Sequence, residues 1–233
     1  MTPLEQNGFQ VVGAVLPPEQ IGELIEMVEE ATRSAGHTRG EQAYSLREVF
    51  DCLPQLRELV GSPAFAQLLE PVLGEDYFAV RGLLFDKIPN ANWKVPWHQD
   101  LTIAVRERKK APGYGPWSVK NNLPHVQPPG EVLEQMLTLR LHLDDCHTDN
   151  GALRVLPGTH LKGKLSAPQI QADRQSGEEV ICEVPAGGVL LMRPMLLHAS
   201  SPASVPNHRR VLHFDFASQE LPHGMQWHCR VAR

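Results

Sequence analysis

Apolar residues in the first third of the chain recur at helical spacing, between residues that are typical of turns. The segment Asn7 to Val15 predicts a turn followed by a short strand. Pro17-Pro18 then open a predicted helix that is apolar on one side, at Ile21, Leu24, Ile25 and Val28. A second helical region is predicted from about Leu46 to Leu73, broken at Pro54 and Pro63. Because helices of this kind must bury their apolar side, we expect them to cover a sheet.

From Tyr77 onward the pattern changes to short runs of β-forming residues separated by Pro, Gly and Asn. This texture is typical of an antiparallel all-β unit rather than of alternating strands and helices. The predicted strands are Phe78 to Lys87, Leu137 to Asp144, Ala152 to Leu156, Glu179 to Val184, Val189 to Arg193 and Arg209 to Ala217. Residues 103–131 are irregular and rich in Pro, Gly and charge, and segments of this kind usually form lids or insertions.

Length and composition narrow the class of protein. The 233 residues are 42% hydrophobic and 21% charged, which fits one soluble globular domain with a core of its own. A net charge of −5 argues against a nucleic-acid partner. No apolar stretch is long enough for a membrane span, and the first residues lack a signal-peptide pattern, so we expect a cytoplasmic location. The four cysteines contain no CxxC pair, so neither a disulfide framework nor a thiolate zinc site is indicated.

Histidine is the residue type that suggests chemistry. Eleven His residues occur, and the chain holds four His-x-Asp triplets where composition alone predicts roughly 0.4. The triplets begin at His98, His142, His147 and His213. On a strand, residues i and i+2 project to the same face, as two ligands of one metal ion must. Non-haem iron oxygenases use two His and one carboxylate on one face of the metal, so one triplet and a distant His would suffice.

Position separates the four triplets only in part. His213 lies too near the chain end to have a distant His and Arg after it, so its triplet is predicted to be structural. His147 lies in a turn and is expected to face solvent. His142 and Asp144 stay serious rivals, since they share a predicted strand face with Arg140 and precede His198. Spacing does not exclude them, although the apolar approach at residues 93–97 favours His98 with Asp100.

The third ligand and a cosubstrate anchor follow later in the chain. His198 stands at the end of an apolar run, and Arg209 follows it by eleven residues at the start of a predicted strand. An Arg beside an open metal site suits a dicarboxylate cosubstrate, because a guanidinium meets a carboxylate in a two-pronged hydrogen-bonded fork.

Three motifs in order then resemble a known family. His98-Gln99-Asp100, the string from Asn150 to His160 (NGALRVLPGTH), and His198-Ala199-Ser200 with Arg209 look like the phytanoyl-CoA dioxygenase family of iron(II)/2-oxoglutarate-dependent oxygenases. The similarity extends from the Asn7-Gly8-Phe9 opening to about Ser218. One departure is Ala199, where the family often has Gly.

The resemblance implies a fold that is mainly β with flanking helices, a double-stranded β-helix (jelly-roll, cupin-like barrel). The whole chain, 1–233, is then one oxygenase domain. It comprises a helical flank over 1–76, a barrel over 77–218 with an irregular lid insertion at about 103–131, and a tail over 219–233.

The resemblance also assigns roles in the site. It implies that His98, Asp100 and His198 bind Fe(II), that Arg209 holds the far carboxylate of 2-oxoglutarate, and that Ser200 is a second contact to that carboxylate. With O2 as the other cosubstrate, the implied reaction hydroxylates a C–H bond of a small molecule and releases succinate and CO2. Because Asp100 is a carboxylate, halogenation as in relatives with Ala or Gly there is disfavoured.

The substrate and the rival functions stay open at this point. Arg140, Trp117, Lys120 and Arg81 are candidate pocket residues and suggest a polar or anionic small molecule, although packing or surface ion pairing explains them equally well. Arg140 stands where some members have an aromatic residue, so an acyl-CoA substrate does not carry over. Two alternatives are a non-catalytic or sensory metal-binding jelly roll, and a cupin enzyme that does not use 2-oxoglutarate. The sequence does not indicate an oligomeric state.

Overall fold

The structure is a computed structural model that describes residues 2–34, 44–88, 92–205 and 207–233. The helices in these residues are α1 (Pro3–Asn7), α2 (Pro18–Ser34), α3 (Val49–Cys52), α4 (Leu56–Val60), α5 (Pro63–Leu73), α6 (Gly130–Glu134) and α7 (Ala167–Ser176). The first strands are β1 (Phe9–Val12), β2 (Tyr44–Arg47), β3 (Phe78–Asp86), β4 (Val95–His98), β5 (Ile103–Ala104), β6 (Trp117–Lys120) and β7 (Leu123–Val126). The later strands are β8 (Leu137–His142), β9 (Leu153–Val155), β10 (Val180–Cys182), β11 (Val189–Met192), β12 (His198–Ser200), β13 (Arg210–Ala217) and β14 (Val231–Ala232).

Two antiparallel sheets form the jelly roll. The larger sheet has the order β1-β11-β8-β13-β3-β14, and β2 adds to β3. The smaller sheet has the order β10-β9-β12-β4. This is the double-stranded β-helix architecture that the sequence predicted, mainly β with flanking helices, and the prediction is confirmed.

The alternation of side chains along β8 and β13 divides the core from the site. Leu139 and Phe214 belong to the faces that pack against the helices, in one cluster with residues of α2, α4 and α5. The intervening residues Arg140 and His213 point between the sheets and line a cavity. Because the period of a strand is two, each strand contributes to the apolar core on one face and to the polar site on the other.

The helices cover the outer face of the larger sheet, as their one-sided apolar pattern predicted. Phe65 of α5 lies against Phe214 with ring centroids 5.9 Å apart, and Phe50 of α3 stacks on the same ring at 5.5 Å. Gly82 of β3 provides the room for this contact, because a Cβ at that position would stand 2.5 Å from Val49. The helices thereby pack directly on the side of the sheet that faces away from the cavity.

The structure corrects the predicted second helical region at its start. Leu46 lies in strand β2, paired with Leu84 at the edge of β3, rather than at the start of a helix. Backbone pairing along an open sheet edge is available only in the tertiary structure, and there it outweighs the local helical spacing. The predicted breaks are present, since α3 ends before Pro54 and α5 begins at Pro63.

Residues 103–131 are more regular than predicted. They contain a small antiparallel sheet of order β5-β7-β6 and the beginning of α6. The prediction of an irregular segment is therefore corrected, whereas its role as a lid stays a prediction.

The predicted domain boundaries also stay predictions. Strands β1 and β2 from the predicted flank, and β14 from the predicted tail, all join the larger sheet. Among the described helices, none is both long enough and apolar enough to cross a membrane.

Candidate active site

Two histidines from distant parts of the sequence are paired across the smaller sheet. His98 of β4 lies directly opposite His198 of β12 in the antiparallel register, and their ring centroids are 4.2 Å apart. Asp100 follows β4 by two residues, and its carboxylate oxygens lie 3.7 Å from Nε2 of each ring. The structure thus brings the three predicted metal ligands together, with one ligand atom of each within 4.8 Å of the others.

The hydrogen bonds of the two rings orient them for a metal ion. Nδ1 of His98 lies 2.8 Å from the carbonyl oxygen of Pro96, and Nδ1 of His198 lies 2.8 Å from that of Leu196. A carbonyl only accepts, so each Nδ1 carries the proton and each Nε2 presents its lone pair toward Asp100. Burial lowers the pKa of His198 to about 4, which keeps the ring neutral as a metal ligand requires.

Gln99, the middle residue of the triplet, holds the loop that carries Asp100. Its buried side chain donates to the carbonyls of Met195 and Gly163 at 2.6 and 2.9 Å, and accepts from the Leu165 amide at 2.8 Å. The Asp100 amide also donates to the carbonyl of Pro194 at 2.9 Å. The sequence pattern does not indicate a role for Gln99. Its side chain points away from the metal ligands and fixes the direction of the backbone that carries them.

Arg209 and Ser200 meet at one backbone carbonyl deep in the cavity. Arg209 Nη1 and Ser200 Oγ each donate to the carbonyl oxygen of Gly151 at 2.8 Å. Gly151 adopts φ +84°, and a Cβ there would stand 2.8 Å from the carbonyl oxygen of Ser201. Arg209 is only 3% exposed, and its Nε has no hydrogen-bond partner among the described residues. A buried guanidinium with an unused donor suits a carboxylate ligand.

Lys87 is a site residue that sequence reasoning missed. The side chain is 1% exposed, and Nζ donates to Ser200 Oγ and to the carbonyl of Ser201, both at 2.6 Å. Burial, with Arg209 nearby, lowers its pKa to about 7. A Lys at the end of a predicted strand is the available sequence signal, and it is a weak one because such residues are usually exposed.

A second polar network lies on the wall formed by the larger sheet. Arg140 Nη1 donates to His213 Nδ1 at 2.9 Å, and His213 Nε2 donates to Asp215 Oδ1 at 3.1 Å. The same carboxylate accepts from Thr138 Oγ1 at 2.7 Å and pairs with Arg81 Nε at 2.7 Å. The His213 triplet was predicted to be structural, and it does hold this network. In addition His213 lines the cavity, which the sequence did not indicate.

The rival triplets lie away from the His98 group. Asp144 forms an ion pair with Arg210 at 2.9 Å on the helix side of the sheet. His142 is buried, neither of its ring nitrogens has a partner among the described residues, and burial lowers its pKa well below the usual value. His147 is exposed, as predicted. The only cluster of potential metal ligands in the described residues is that of His98, Asp100 and His198.

The site is the floor of a cavity of about 290 Å³ between the two sheets. The wall includes the predicted residues Arg81, Arg140 and Lys120, and also Arg47 of β2. Its apolar part is formed by Leu83, Phe85, Trp93, Val95 and Leu153. Trp117 is not one of the described residues that line this cavity. Its ring lies 5.6 Å from the guanidinium of Arg108 and packs on a separate apolar cluster.

The residues present fit an iron ion with a dicarboxylate beside it. Two neutral imidazoles and a carboxylate are the donor set of the facial triad of non-haem iron sites. Burial by itself raises the pKa of Asp100, but His198, His213 and Arg81 outweigh it and lower the pKa, so the carboxylate is ionised. Lys87 and Arg209 have N–H donors left for an anion on the same cavity floor, and Ser200 can donate its one hydroxyl proton to an anion in exchange for the bond to Gly151.

Comparison with solved structures identifies the fold. The non-heme alpha ketoglutarate dependent carbocyclase SnoK from nogalamycin biosynthesis superposes with a TM-score of 0.72 at 17% identity, covering 94% of this chain and 82% of that one. AviO1 from Streptomyces viridochromogenes Tue57 gives 0.68 at 23% identity, with 94% of both chains covered. The epimerase SnoN, in complex with Fe3+, alpha ketoglutarate and nogalamycin RO, gives 0.66 at 16% identity, covering 92% and 80%. At these identities the likeness establishes a shared fold.

Sequence comparison establishes the family. No curated protein sequence matches the chain. The family model for phytanoyl-CoA dioxygenase (PhyH) matches residues 4–211, which is most of the chain. The match includes all three motifs from which the resemblance was drawn. The chain belongs to the phytanoyl-CoA dioxygenase family.

Proposed function

We propose that the protein is an iron(II)- and 2-oxoglutarate-dependent dioxygenase that hydroxylates a C–H bond of a small molecule, with release of succinate and CO2. The observation that carries the proposal is one cavity floor with two parts. His98, Asp100 and His198 form the first part, and the buried Arg209 with Ser200 forms the second. A facial triad with an anion site beside it is the arrangement that a dicarboxylate cosubstrate of iron requires.

The metal ligands are His98, Asp100 and His198 in this proposal. Their backbone hydrogen bonds hold the rings in place before iron binds, so little ordering is needed on binding. Iron with 2-oxoglutarate and O2 supplies the oxidising chemistry, which no protein side chain can supply. Asp100 supplies a carboxylate ligand, which favours hydroxylation over halogenation.

Arg209 and Ser200 bind the far carboxylate of 2-oxoglutarate and so orient its keto acid end toward the triad. Lys87, which follows β3 of the larger sheet, adds a further donor next to Ser200 of the smaller sheet. The apolar side chains of the cavity wall exclude water from the reacting C–H bond, which limits side reactions. The substrate is a small molecule. The absence of a nucleic-acid partner and the cytoplasmic location stay predictions.

An anaerobic titration tests the proposal. Addition of Fe(II) and 2-oxoglutarate without O2 should produce the visible metal-to-ligand charge-transfer band, and Asp100→Ala should abolish substrate-coupled succinate formation. Asp149→Ala is the matched control, because it removes the exposed carboxylate of another His-x-Asp triplet. A wild-type protein without the band would favour the non-catalytic jelly roll or the cupin enzyme that does not use 2-oxoglutarate. Undiminished turnover of Asp100→Ala would refute the triad.

A further inference from the structure

The cavity that holds the proposed site is strongly cationic. Six Lys or Arg residues line it, namely Arg47, Arg81, Lys87, Lys120, Arg140 and Arg209. Among the described residues, Asp100 is the one carboxylate in the wall, and it belongs to the metal ligands. The net charge of the whole chain is −5, so the cavity is positively charged in a protein that is negatively charged overall.

Most of these cations are not neutralised by the protein itself. Arg81 is paired with Asp215 at 2.7 Å. Within the described parts of the chain, Arg47, Lys120, Arg140 and Arg209 form no ion pair. Burial lowers the pKa of Lys120, and the charges of Arg81 and Arg47 lower it further, as expected for cations that face one another across a cavity.

The cosubstrate does not balance this charge. Fe(II), Asp100 and the two carboxylates of 2-oxoglutarate together carry a single net negative charge. Four cations without an ion pair, and Lys87 when it is protonated, stand against it. A positive surplus therefore remains in the cavity after iron and cosubstrate have bound, and an anionic ligand would relieve it.

The exposure of the cations shows where the surplus lies. Arg209 and Lys87 are buried at the floor, beside Ser200 and the Gly151 carbonyl, and Arg140 is buried in the wall beside His213. Lys120 and Arg47 also line the cavity but are exposed, on β6 and β2, so they form its solvent-facing rim. Lys120 Nζ has Thr102 Oγ1 at 3.2 Å as its hydrogen-bond acceptor, which leaves ammonium protons for a ligand.

We propose that the substrate is an organic anion whose carboxylate or phosphate group binds Lys120 and Arg47 at this rim, while its reacting C–H bond lies over the metal ligands. The inference rests on the oxygenase function proposed above and adds the substrate class. The cavity of about 290 Å³ is at the low end for ligand pockets and also receives the cosubstrate, so a bulky substrate keeps most of its volume outside the rim.

Calorimetric titration of the anaerobic Fe(II)·2-oxoglutarate protein tests the inference. The probes are benzoate, phenyl phosphate and the uncharged benzamide, with 2-oxoglutarate kept saturating so that no probe takes its place. We expect at least one anion to bind about tenfold or more tightly than benzamide, and this preference to weaken as salt is raised. The tighter of the two anions identifies the carboxylate or the phosphate as the preferred group.

Variants locate the binding group. Lys120→Gln should raise the Kd of the preferred anion, and the Lys120→Gln/Arg47→Gln double variant should raise it further, by about tenfold relative to the wild type. Lys110→Gln removes the same charge from an exposed position outside the cavity wall and should leave that Kd unchanged.

The two proposals fail in different ways. Equal or undetectable binding of anions and benzamide, or a double variant that binds like the wild type, would overturn the anionic substrate class while the charge-transfer band persists. Absence of that band in the wild type would overturn the oxygenase function.

Discussion

Replacement of Arg209 is the sharpest test of the cosubstrate site. The guanidinium is 3% exposed, donates to the carbonyl of Gly151 at 2.8 Å and keeps Nε without a partner among the described residues. Arg209→Ala removes the positive charge and the pair of guanidinium N–H donors that would bind the two oxygens of a carboxylate. Arg209→Lys keeps the charge and loses the fork.

The structure sets the size of the expected effect. Hydrogen bonds to charged groups contribute about 1.5–3 kcal/mol each, and a bidentate pair therefore more. Lys87 and Ser200 remain beside the carboxylate in the variant and recover part of the loss. We therefore expect Arg209→Ala to weaken 2-oxoglutarate binding by about 2–3 kcal/mol, which is roughly a 30- to 150-fold higher Kd. For Arg209→Lys we expect about tenfold.

The assay is anaerobic titration of the Fe(II) protein with 2-oxoglutarate, followed by the charge-transfer absorbance. Arg210→Lys is the matched control, because the neighbouring side chain points to the helix side and pairs with Asp144 and Glu29. Its Kd should stay within about twofold of the wild type. If Arg209→Ala also stayed within about threefold, the assignment would be wrong, and Arg140, a buried guanidinium in the cavity wall without an ion pair among the described residues, would be the next candidate.

Three further predictions concern buried residues around the site. Asp215→Asn should lower the free energy of unfolding by about 3 kcal/mol, measured by urea titration, because it leaves Arg81 without its ion-pair partner. The Arg81→Met/Asp215→Asn double variant should recover part of the lost stability. A loss below about 1 kcal/mol in Asp215→Asn would contradict a stabilising role for this network. Burial lowers the pKa of Lys87 to about 7, so between about pH 7 and 10 the folded protein binds fewer protons than the unfolded chain. The free energy of unfolding of the wild type should therefore rise with pH over this range relative to that of Lys87→Met. A difference in stability between the two proteins that does not change with pH would refute the lowered pKa. Gly151 has φ +84°, and a Cβ there would stand 2.8 Å from a backbone carbonyl oxygen, so Gly151→Ala should lower the free energy of unfolding by about 1–3 kcal/mol and weaken 2-oxoglutarate binding. Gly22→Ala in α2, where the space is open, is the control and should leave stability unchanged or raise it. Equal effects of the two substitutions on stability would refute the steric argument.

The fold could be predicted where the local pattern and the tertiary environment agree. The one-sided apolar spacing of α2 and the strand alternation at residues 137–142 and 210–217 both describe faces that are buried in the structure. Prediction failed at Leu46, whose environment is the edge of a strand that lies far away in sequence. It also failed at residues 103–131, where charged and Gly-rich composition concealed a small sheet.

The metal ligands could be proposed from the order of the motifs because His98, at the end of β4, and Asp100, two residues later, are close in sequence. The positions of Lys87 and His213 could not. The Lys87–Ser200 hydrogen bond joins residues 113 positions apart, and it forms only because two sheets face each other across the cavity. A sequence pattern reports which face of a strand is polar, but it does not report what the opposing sheet presents to that face.

The sequence by itself therefore indicated the family through three ordered motifs, and the resemblance to that family implied the jelly roll and the three candidate metal ligands, while spacing alone left His142 and Asp144 as rivals. Tertiary structure alone decided which triplet stands opposite His198, how Gly151 joins Arg209 to Ser200, and where the unpaired cations gather. The physical reason is that hydrogen bonding, burial and charge balance depend on distances in space between strands, and the register of the two sheets sets those distances.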